Sequence, residues 1–206
     1  MAAGSSNSCT SSLSAKCMPR RYNERMRQTL RLHPDSSCFA VTHMEVEIAR
    51  PQAGSLVFAY VLTGRISDVA LPPAAASART DELWRHTCFE AFVGAGIAYY
   101  EFNFAPSTHW AAYRFSSYRT GMRVATEISA PRIAVQSSLE RYTLQASLEL
   151  DQLLFPRDAM LRLGLSAVIE ENSGHRSYWA LAHPTGKADF HHPDCFTMKL
   201  SETYKP

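Results

Sequence analysis

Three short runs of alternating residues follow one another between positions 81 and 115, and they limit the fold more than any other feature of this sequence. The runs cover residues 86–93, 98–104 and 109–115. Alternation with a period of two, rich in aromatic residues, predicts β-strands and not helices. Gly94 and Gly96 suit the turn between the first two runs, since glycine tolerates the positive φ angles of tight hairpins. The stretch therefore predicts three antiparallel strands joined by short turns.

The turns also suggest a register, and the register decides which side chains share a face of the sheet. With a two-residue loop at 95–96, Glu90 faces Glu101, and we expect Phe104 to face His109 across the second loop. One face is then apolar and predicts a core surface: Phe89, Ala91, Val93, Tyr100, Phe102, Phe104, Ala111, Tyr113 and Phe115. The opposite face carries polar and aromatic side chains: Trp84, His86, Cys88, Glu90, Phe92, Tyr99, Glu101, Asn103, Trp110 and Arg114.

The polar face admits several interpretations. Two glutamates directly opposite each other repel, so the simplest one is that Glu90 and Glu101 both project into water. The indoles beside them favour a site for a small polar ligand, because such sites combine aromatic platforms with converging hydrogen-bonding groups. Paired carboxylates also resemble those of a retaining glycosidase, although any cross-strand pair would show this spacing. A flat face that binds another protein is a fourth hypothesis.

Several segments of the chain resemble known sugar-binding proteins. Trp84, followed six positions later by Glu90 and then by the strand YYEFNF, is similar to the family 9 carbohydrate-binding modules. It also resembles the wider DOMON-like superfamily of sugar- and haem-binding β-sandwiches. The segments LWRHTCFEAFV, YYEFNF, HWAAYRF, SYWALAHP and DFHHPDCF resemble small bacterial DOMON-like domain proteins in order and spacing. The resemblance spans residues 30–200.

This resemblance implies an all-β protein: an antiparallel β-sandwich of jelly-roll or immunoglobulin-like type over residues 30–206. The Ser-rich and basic composition of residues 1–29 predicts a disordered tail before it. The resemblance implies carbohydrate binding without catalysis, with a hydrolase using Glu90 and Glu101 as the alternative. In the family 9 modules the second strand supplies an arginine and an asparagine. Here Asn103 matches, whereas Glu101 carries the opposite charge.

Roles for the candidate residues follow from the resemblance and from the derived face. Trp84 and Trp110 would stack on a sugar, and Glu90, Glu101 and Asn103 would bond its hydroxyls. Arg85 or Arg114 would neutralise the glutamates or bind an anionic group. A C-terminal aromatic would complete the site, and alternation places Trp179 on the same face as Ser166. The full set of candidates is Trp84, Arg85, His86, Glu90, Glu101, Asn103, Trp110, Arg114, Trp179 and Phe190.

No cofactor or metal is predicted. His183, His191 and His192, with Asp189, form a weak metal-ligand pattern, but adjacent histidines rarely bind one ion and a polar loop is the simpler interpretation. Calcium, which the resemblance admits, lacks an Asp-rich ligand run here. Haem would need methionine and histidine ligands, and none of the three candidate methionines is expected on the polar face: Met122, Met160 and Met198.

Composition limits the class of protein. At 206 residues with 46% hydrophobic and 19% charged residues, a single folded domain is expected. Residues 1–31 hold six Lys/Arg and one acid, which leaves 15 bases and 18 acids in the rest of the chain. This acidic body argues against nucleic acid as a partner. Five widely spaced cysteines, no signal-peptide core and no membrane-spanning run favour a cytoplasmic protein.

Further strands are predicted along the remainder of the chain from alternation or from continuous apolar runs. A single helical turn is expected at 150–154, ended by Pro156. The predicted strands cover residues 41–48, 55–63, 131–135, 142–149, 161–170, 177–182 and 195–200.

Overall fold

A computed structural model describes Met1 and residues 25–52, 54–156 and 159–200 of the chain. The prediction of an all-β, antiparallel sandwich is confirmed. The strands in these residues are β1 Arg25–Leu32, β2 Val41–Ala49, β3 Ser55–Gly64, β4 Cys88–Ala95, β5 Ala98–Phe104, β6 Trp110–Phe115, β7 Arg123–Val124, β8 Ile133–Ser137, β9 Arg141–Glu149, β10 Leu161–Glu170, β11 Arg176–Ala180 and β12 Met198–Lys199. Single 3-10 turns lie at Ile66–Asp68, Leu83–Arg85, Leu150–Gln152 and Pro193–Cys195.

The strands form two packed layers that one strand joins. The first layer has the order β1-β2-β3-β9-β8, and the second has the order β7-β6-β5-β4-β10-β11, with β12 on β10. Strand β1 belongs to both layers, because residues 25–30 pair with β2 whereas Arg31 and Leu32 pair with β11. The pairings between these strands are all antiparallel. Because β1 pairs with both layers, the sandwich is one curled sheet.

The inner faces of the two layers form the main core. Apolar side chains alternate inward along each strand, as with Met44, Val46 and Ile48 of β2, which are fully buried. The first layer also contributes Tyr60, whose hydroxyl donates a hydrogen bond to the backbone carbonyl of Glu90 in the second layer (2.6 Å). This bond satisfies a buried hydroxyl and links the layers directly beneath the polar face.

Strand β1 corrects the predicted tail. Residues 25–29 were assigned to a disordered segment, but they pair with β2. The sequence RMRQTLRL alternates, with arginines toward water and Met26, Gln28 and Leu30 toward the sheet. The prediction gave weight to the basic composition of this segment and missed the alternation of a half-exposed strand. The rest of the predicted tail, residues 2–24, lies outside the described residues.

The register of the first hairpin differs from the prediction by two residues. Ala95 pairs with Ala98 and Glu90 pairs with Asn103, not with Glu101. A shift of two leaves every side chain on its predicted face, since side chains alternate with a period of two. The predicted faces of β4 and β5 are therefore correct, although the facing partners are wrong.

The second hairpin differs by one residue, and this slip reverses β6. Phe104 pairs with Trp110 and Asn103 pairs with Ala111. The connection contains an additional residue because Thr108 adopts a left-handed conformation (φ 69°) and the Ala105 amide bonds the His109 carbonyl. A one-residue slip exchanges the faces of a strand. Ala111, Tyr113 and Phe115 thus share the face of the glutamates, whereas Trp110, Ala112 and Arg114 do not.

Other predictions hold within a few residues. The helical turn after β9 is confirmed at Leu150–Gln152. The last predicted strand is reduced to Met198–Lys199 and follows a 3-10 turn. The cysteines in the described part of the chain, Cys38, Cys88 and Cys195, are free thiols. No helix in that part is both long and apolar enough to cross a bilayer.

Candidate ligand-binding site

The outer face of the second layer is covered by chain segments and is largely buried. Residues 81–86, 116–122 and 183–197 lie over it. Two glycines allow the last segment to approach: a Cβ at Gly94 would stand 3.2 Å from the Phe196 ring, and one at Gly164 3.2 Å from the Cys195 carbonyl. The result is a second buried cluster: Phe92, Tyr99, Ala111, Tyr113, Phe115, Val168, Ala180, Phe190, Cys195 and Phe196.

A cavity of about 510 Å³ opens between the sheet and these segments. Its volume lies in the range of small-molecule sites, roughly 300–1,000 Å³. The lining combines two carboxyl groups, an imidazole, three guanidiniums and several apolar side chains. The lining residues are Trp84, Arg85, Glu90, Glu101, Phe115, Arg119, Met122, Val168, Arg176, Tyr178, Ala188, Phe190 and His191.

Glu90 and Glu101 form the polar floor of this cavity. Because Glu90 pairs with Asn103 and Glu101 with Phe92, the two glutamates are diagonal neighbours, with Cα atoms roughly 7–8 Å apart. Glu90 is 3% exposed and Glu101 5%. Ser166 donates a hydrogen bond to Glu90 Oε2 (3.3 Å), and Asn103 Nδ2 donates to Glu101 Oε1 (2.8 Å). Neutral donors of the sheet therefore hold both carboxyl groups.

Burial raises the pKa of both carboxyl groups. The pKa of Glu101 rises to about 7 because loss of water outweighs the opposing effects of the Asn103 hydrogen bond and the Arg119 charge. The pKa of Glu90 rises well above its usual range, through burial first and the charge of Glu101 second. Burial thus favours the protonated form of both carboxyl groups. A protonated carboxyl can donate a hydrogen bond as well as accept one.

His191 forms one side of the cavity as a neutral imidazole. Its pKa is lowered to about 4, first by burial and then by the charge of Arg119, while the charge of Asp189 opposes both effects. Its Nδ1 lies 2.8 Å from the Tyr99 hydroxyl, which also accepts the Arg119 amide proton. In the tautomer that carries its proton on Nε2, Nδ1 accepts the Tyr99 hydroxyl proton, and Nε2 lies 3.7 Å from Glu101 Oε2. Because the imidazole is uncharged at neutral pH, that contact is not an ion pair.

A turn at residues 116–120 holds Arg119 over the cavity. Arg119 has a left-handed backbone (φ 51°), which costs a non-glycine residue on the order of 1 kcal/mol. Its Nε and Nη2 donate to Asp189 Oδ1 at 3.1 and 2.7 Å, and Tyr118 also donates to Asp189. The His191 backbone amide also donates to Asp189 Oδ1 (3.2 Å). Asp189 thus ties the turn to the segment that covers the sheet.

Arg85 and Arg176 also line the cavity and contact each other. Arg85 ends the Leu83–Arg85 turn and forms an exposed ion pair with Glu82 (2.8 Å). Arg176 begins β11, is exposed, and donates from Nη1 to the Arg85 carbonyl (3.1 Å). Throughout the described residues, no carboxylate contacts Arg176.

Aromatic rings form the remaining walls. Trp84 is half-buried and rests on the edge of Tyr113, with ring centroids 5.8 Å apart. Phe190 is 8% exposed and lies against Tyr178, with centroids 6.2 Å apart. Because Trp84 and Tyr178 each leave part of a ring toward the cavity, either could stack on a ligand.

The structure brings together half of the candidate residues predicted from sequence: Trp84, Arg85, Glu90, Glu101 and Phe190. Asn103 lies beneath them and is fully buried. His86 is outside the cavity, where its Nδ1 contacts Glu170 at 2.7 Å. The site also contains residues outside the set of sequence-predicted candidates: Phe115, Arg119, Met122, Val168, Arg176, Tyr178 and Ala188.

Two predicted positions, Trp110 and Arg114, are corrected by the reversal of β6. Trp110 is 4% exposed in the main core, with the Arg79 guanidinium 4.1 Å above its ring. Arg114 lies on the same side as Trp110, 5.7 Å from the Tyr100 ring. Neither side chain reaches the glutamates.

Trp179 is also misplaced by the prediction. It pairs with Ala167, whereas Ser166 pairs with Ala180, so Trp179 and Ser166 are on opposite faces. Trp179 is 5% exposed in the main core, and its Nε1 donates to Ser177 Oγ (3.1 Å). The aromatic residue that β11 turns toward the cavity is Tyr178.

The histidines considered as metal ligands have separate roles. His183 Nε2 donates to the Arg31 carbonyl (2.8 Å), and His192 Nδ1 accepts from the Asp194 amide (3.3 Å). In the part of the chain that the structure describes, no three His, Cys, Asp or Glu side chains are arranged to hold a metal ion. Met122 does border the cavity, contrary to the expectation that no methionine lies at the polar face.

Comparison with known proteins supports the fold. No family model and no curated protein matches this chain. A protein from Bacteroides uniformis, provisionally assigned as carbohydrate-binding and solved at 2.70 Å, aligns with a TM-score of 0.60. The alignment covers 83% of this chain and 84% of that protein, at 14% identity. The two proteins share a fold.

A second solved structure aligns less well. It is a family 9 carbohydrate-binding module from Caldicellulosiruptor kristjanssonii in complex with cellotriose. The TM-score is 0.44 at 12% identity, over 78% of this chain and 74% of the module.

Proposed function

We propose that this protein binds a small saccharide in the cavity on the outer face of the second layer, without chemistry of its own. The observation that carries the proposal is a pair of carboxyl groups, Glu90 and Glu101, that are buried from bulk solvent and line a cavity with aromatic walls. Buried polar groups are costly unless they find partners, so a cavity that ends on two of them suits a ligand rich in hydroxyls.

The chemistry of the floor fits hydroxyl groups, each of which donates one hydrogen bond and accepts others. A protonated carboxyl beside an ionised one offers a donor and acceptors within one small area. Trp84 and Tyr178 would supply the apolar surface against which the C–H face of a sugar ring packs. Asn103 and Ser166 position the carboxyl groups and would not contact the ligand.

A thermal-shift screen against neutral and acidic monosaccharides and short oligosaccharides tests the proposal. A ligand present at about 100 times its Kd stabilises the folded state by about 2.7 kcal/mol, which a melting curve resolves. Isothermal titration then measures the affinity of each hit for the wild type and for Trp84→Ala. We expect that removing the indole weakens binding by about tenfold or more, since a stacked aromatic contributes on the order of 1–2 kcal/mol.

Phe39→Ala provides the matched control, because Phe39 is 67% exposed and does not line the cavity. It should leave the affinity unchanged. Equal stabilisation of the wild type and Trp84→Ala by every saccharide would place binding elsewhere and refute the proposal. Failure of the wild type to bind any saccharide would refute it as well.

A glycoside hydrolase is the second candidate, and the raised pKa of Glu101 favours it. A carboxyl group with a pKa of about 7 can serve as a general acid near neutral pH. Against it, Glu90 and Glu101 are diagonal neighbours and not the directly opposed pair that was predicted to resemble a retaining glycosidase. Assays with nitrophenyl glycosides separate the two functions. An enzyme would lose turnover in Glu101→Gln and keep binding, whereas a binding module shows no turnover in either protein.

A further inference from the structure

Three arginines from separate parts of the chain converge on the cavity mouth. Arg85 comes from the turn before β4, Arg119 from the turn after β6 and Arg176 from the start of β11. Guanidinium groups present several donors in a plane, which suits carboxylate recognition. Their convergence on one opening therefore favours a ligand that carries a carboxylate.

Two of these three charges are already compensated. Glu82 pairs with Arg85 at 2.8 Å, and Asp189 pairs with Arg119 at 2.7 Å. Arg176 differs, because its guanidinium donates a hydrogen bond to the backbone carbonyl of Arg85 and not to a carboxylate. One donor of five is used, and no carboxylate meets it among the residues that the structure describes.

The carboxyl groups inside the cavity do not supply the missing partner. Glu90 and Glu101 are buried on the floor, where Ser166 and Asn103 bond them, whereas Arg176 is exposed at the mouth. The cavity therefore has a positive charge at its opening and hydroxyl-matching groups at its base. A ligand that fits both carries an anionic group at one end and hydroxyls at the other.

We propose that the saccharide bound here is acidic, with a carboxylate that pairs with Arg176 while its hydroxyls reach Glu90 and Glu101. This inference rests on the proposed function and specifies its ligand class. Arg119 and Arg85 add favourable potential at the mouth, although their own acidic partners offset most of it. The ligand class is that of uronic acids, sugars oxidised at the primary alcohol.

Matched sugar pairs test the inference, because each pair differs only in the oxidation of one carbon. Titration calorimetry compares D-glucuronate with D-glucose and D-galacturonate with D-galactose, using the full chain at low ionic strength. We expect at least one uronate to bind on the order of tenfold more tightly than its neutral counterpart, as one charge-assisted pair at a partly exposed position provides. Added salt should reduce this preference, since exposed charge pairs are screened.

Arg176→Gln should abolish the preference by lowering the affinity for the uronate to about that of the neutral sugar. Arg162→Gln is the matched control: Arg162 lies on the adjacent strand β10, donates one bond to the Gly96 carbonyl (3.1 Å) and does not line this cavity. It should retain the wild-type preference. Both substitutions remove one side chain of the same type, so melting temperatures check that each variant folds.

The outcomes separate the two proposals. Equal or tighter binding of the neutral sugars overturns the acidic-ligand inference and leaves the saccharide proposal in place. Retention of the uronate preference in Arg176→Gln overturns it too. Absence of binding for all four sugars, and for the wider screen, overturns both.

Discussion

The outer faces of the two layers each carry two neighbouring glutamates, but the glutamates differ sharply in how far they are buried. On the first layer, Glu45 and Glu47 of β2 both form ion pairs with the exposed Arg27 of β1. On the second layer, Glu90 and Glu101 are almost completely buried. The strands are of the same kind, so the covering segments create the difference. In this molecule the sheet carboxyl groups Glu90 and Glu101 are buried because other parts of the chain cover them.

The largest expected difference between the faces is in stability. Phe92 lies on the outer face of β4, is 1% exposed and contacts Phe196 and His191. Phe92→Ala should lower the free energy of unfolding by about 3–5 kcal/mol, as in a core. The matched outer-face change Glu47→Ala in the first layer should cost under about 0.5 kcal/mol. Urea unfolding measures both, and similar costs would show that the outer cluster is not a true second core.

A second prediction concerns pH. The folded-state pKa of Glu101, about 7, is above its ordinary value of 4.5, so the folded state binds the extra proton between these values. Stability from this group is fully present below about pH 4.5 and is lost as the pH rises through 7. Glu101→Gln should therefore be more stable than the wild type at pH 8, by on the order of 1–3 kcal/mol, and about equal to it at pH 4.5.

The matched control for this pH effect is Glu47→Gln, the same substitution at a partly exposed glutamate of the first layer that pairs with Arg27. Thermal unfolding from pH 4.5 to 8 gives both curves. A stability difference that is flat with pH would contradict the raised pKa. The ionisable groups that face Glu101 are Glu90 of β4, Tyr99 of β5, Tyr113 of β6, Arg119 of the 116–120 turn and His191 of the covering segment.

A third prediction concerns the link between covering segments. Asp189→Ala removes the acceptor for Arg119, Tyr118 and the His191 amide, and should destabilise the protein by about 1–3 kcal/mol, since bonds to a charged, half-buried group are stronger than exposed ones. Hydrogen exchange of the amides at 116–122 should accelerate. Unchanged exchange there would show that the turn is held by its own backbone bonds.

The smallest expected effect is on the first layer. Arg27→Ala removes the exposed pairs with Glu45 and Glu47 and should change stability by less than about 1 kcal/mol, with the difference vanishing at high salt. Denaturation at low and high ionic strength measures it. A cost as large as that of Asp189→Ala would remove the contrast between solvated and covered carboxylates.

Sequence patterns predicted the β-sandwich and the faces of β4 and β5, because alternation is a local property that a two-residue register error does not disturb. They failed at β6, since the conformation of Thr108 decides the length of its turn and threonine gives no signal for a positive φ. Trp110 and Arg114 were misplaced for that reason.

The arginines of the site show the limit of local reasoning. Arg119 and Arg176 are 57 positions apart, and only the pairing of β10 with β11 and the contacts of Asp189 bring them to one cavity. Burial of Glu90 and Glu101 was equally inaccessible, because it depends on Gly94 and Gly164 admitting a segment from residues 183–197. Long-range packing leaves no trace in the spacing of nearby residues.

Strand β1 has a mechanical consequence for the cavity. It hydrogen-bonds to β2 along most of its length and to β11 at its end, and the next residue, His33, donates its amide proton to the Tyr178 carbonyl (2.8 Å). Sliding one sheet past the other would break these backbone bonds, so the wall that carries Tyr178 keeps a fixed distance from its surroundings. The Tyr178 side of the cavity is therefore fixed to both layers in advance, so ordering that side should add little entropy cost to the binding of a ligand.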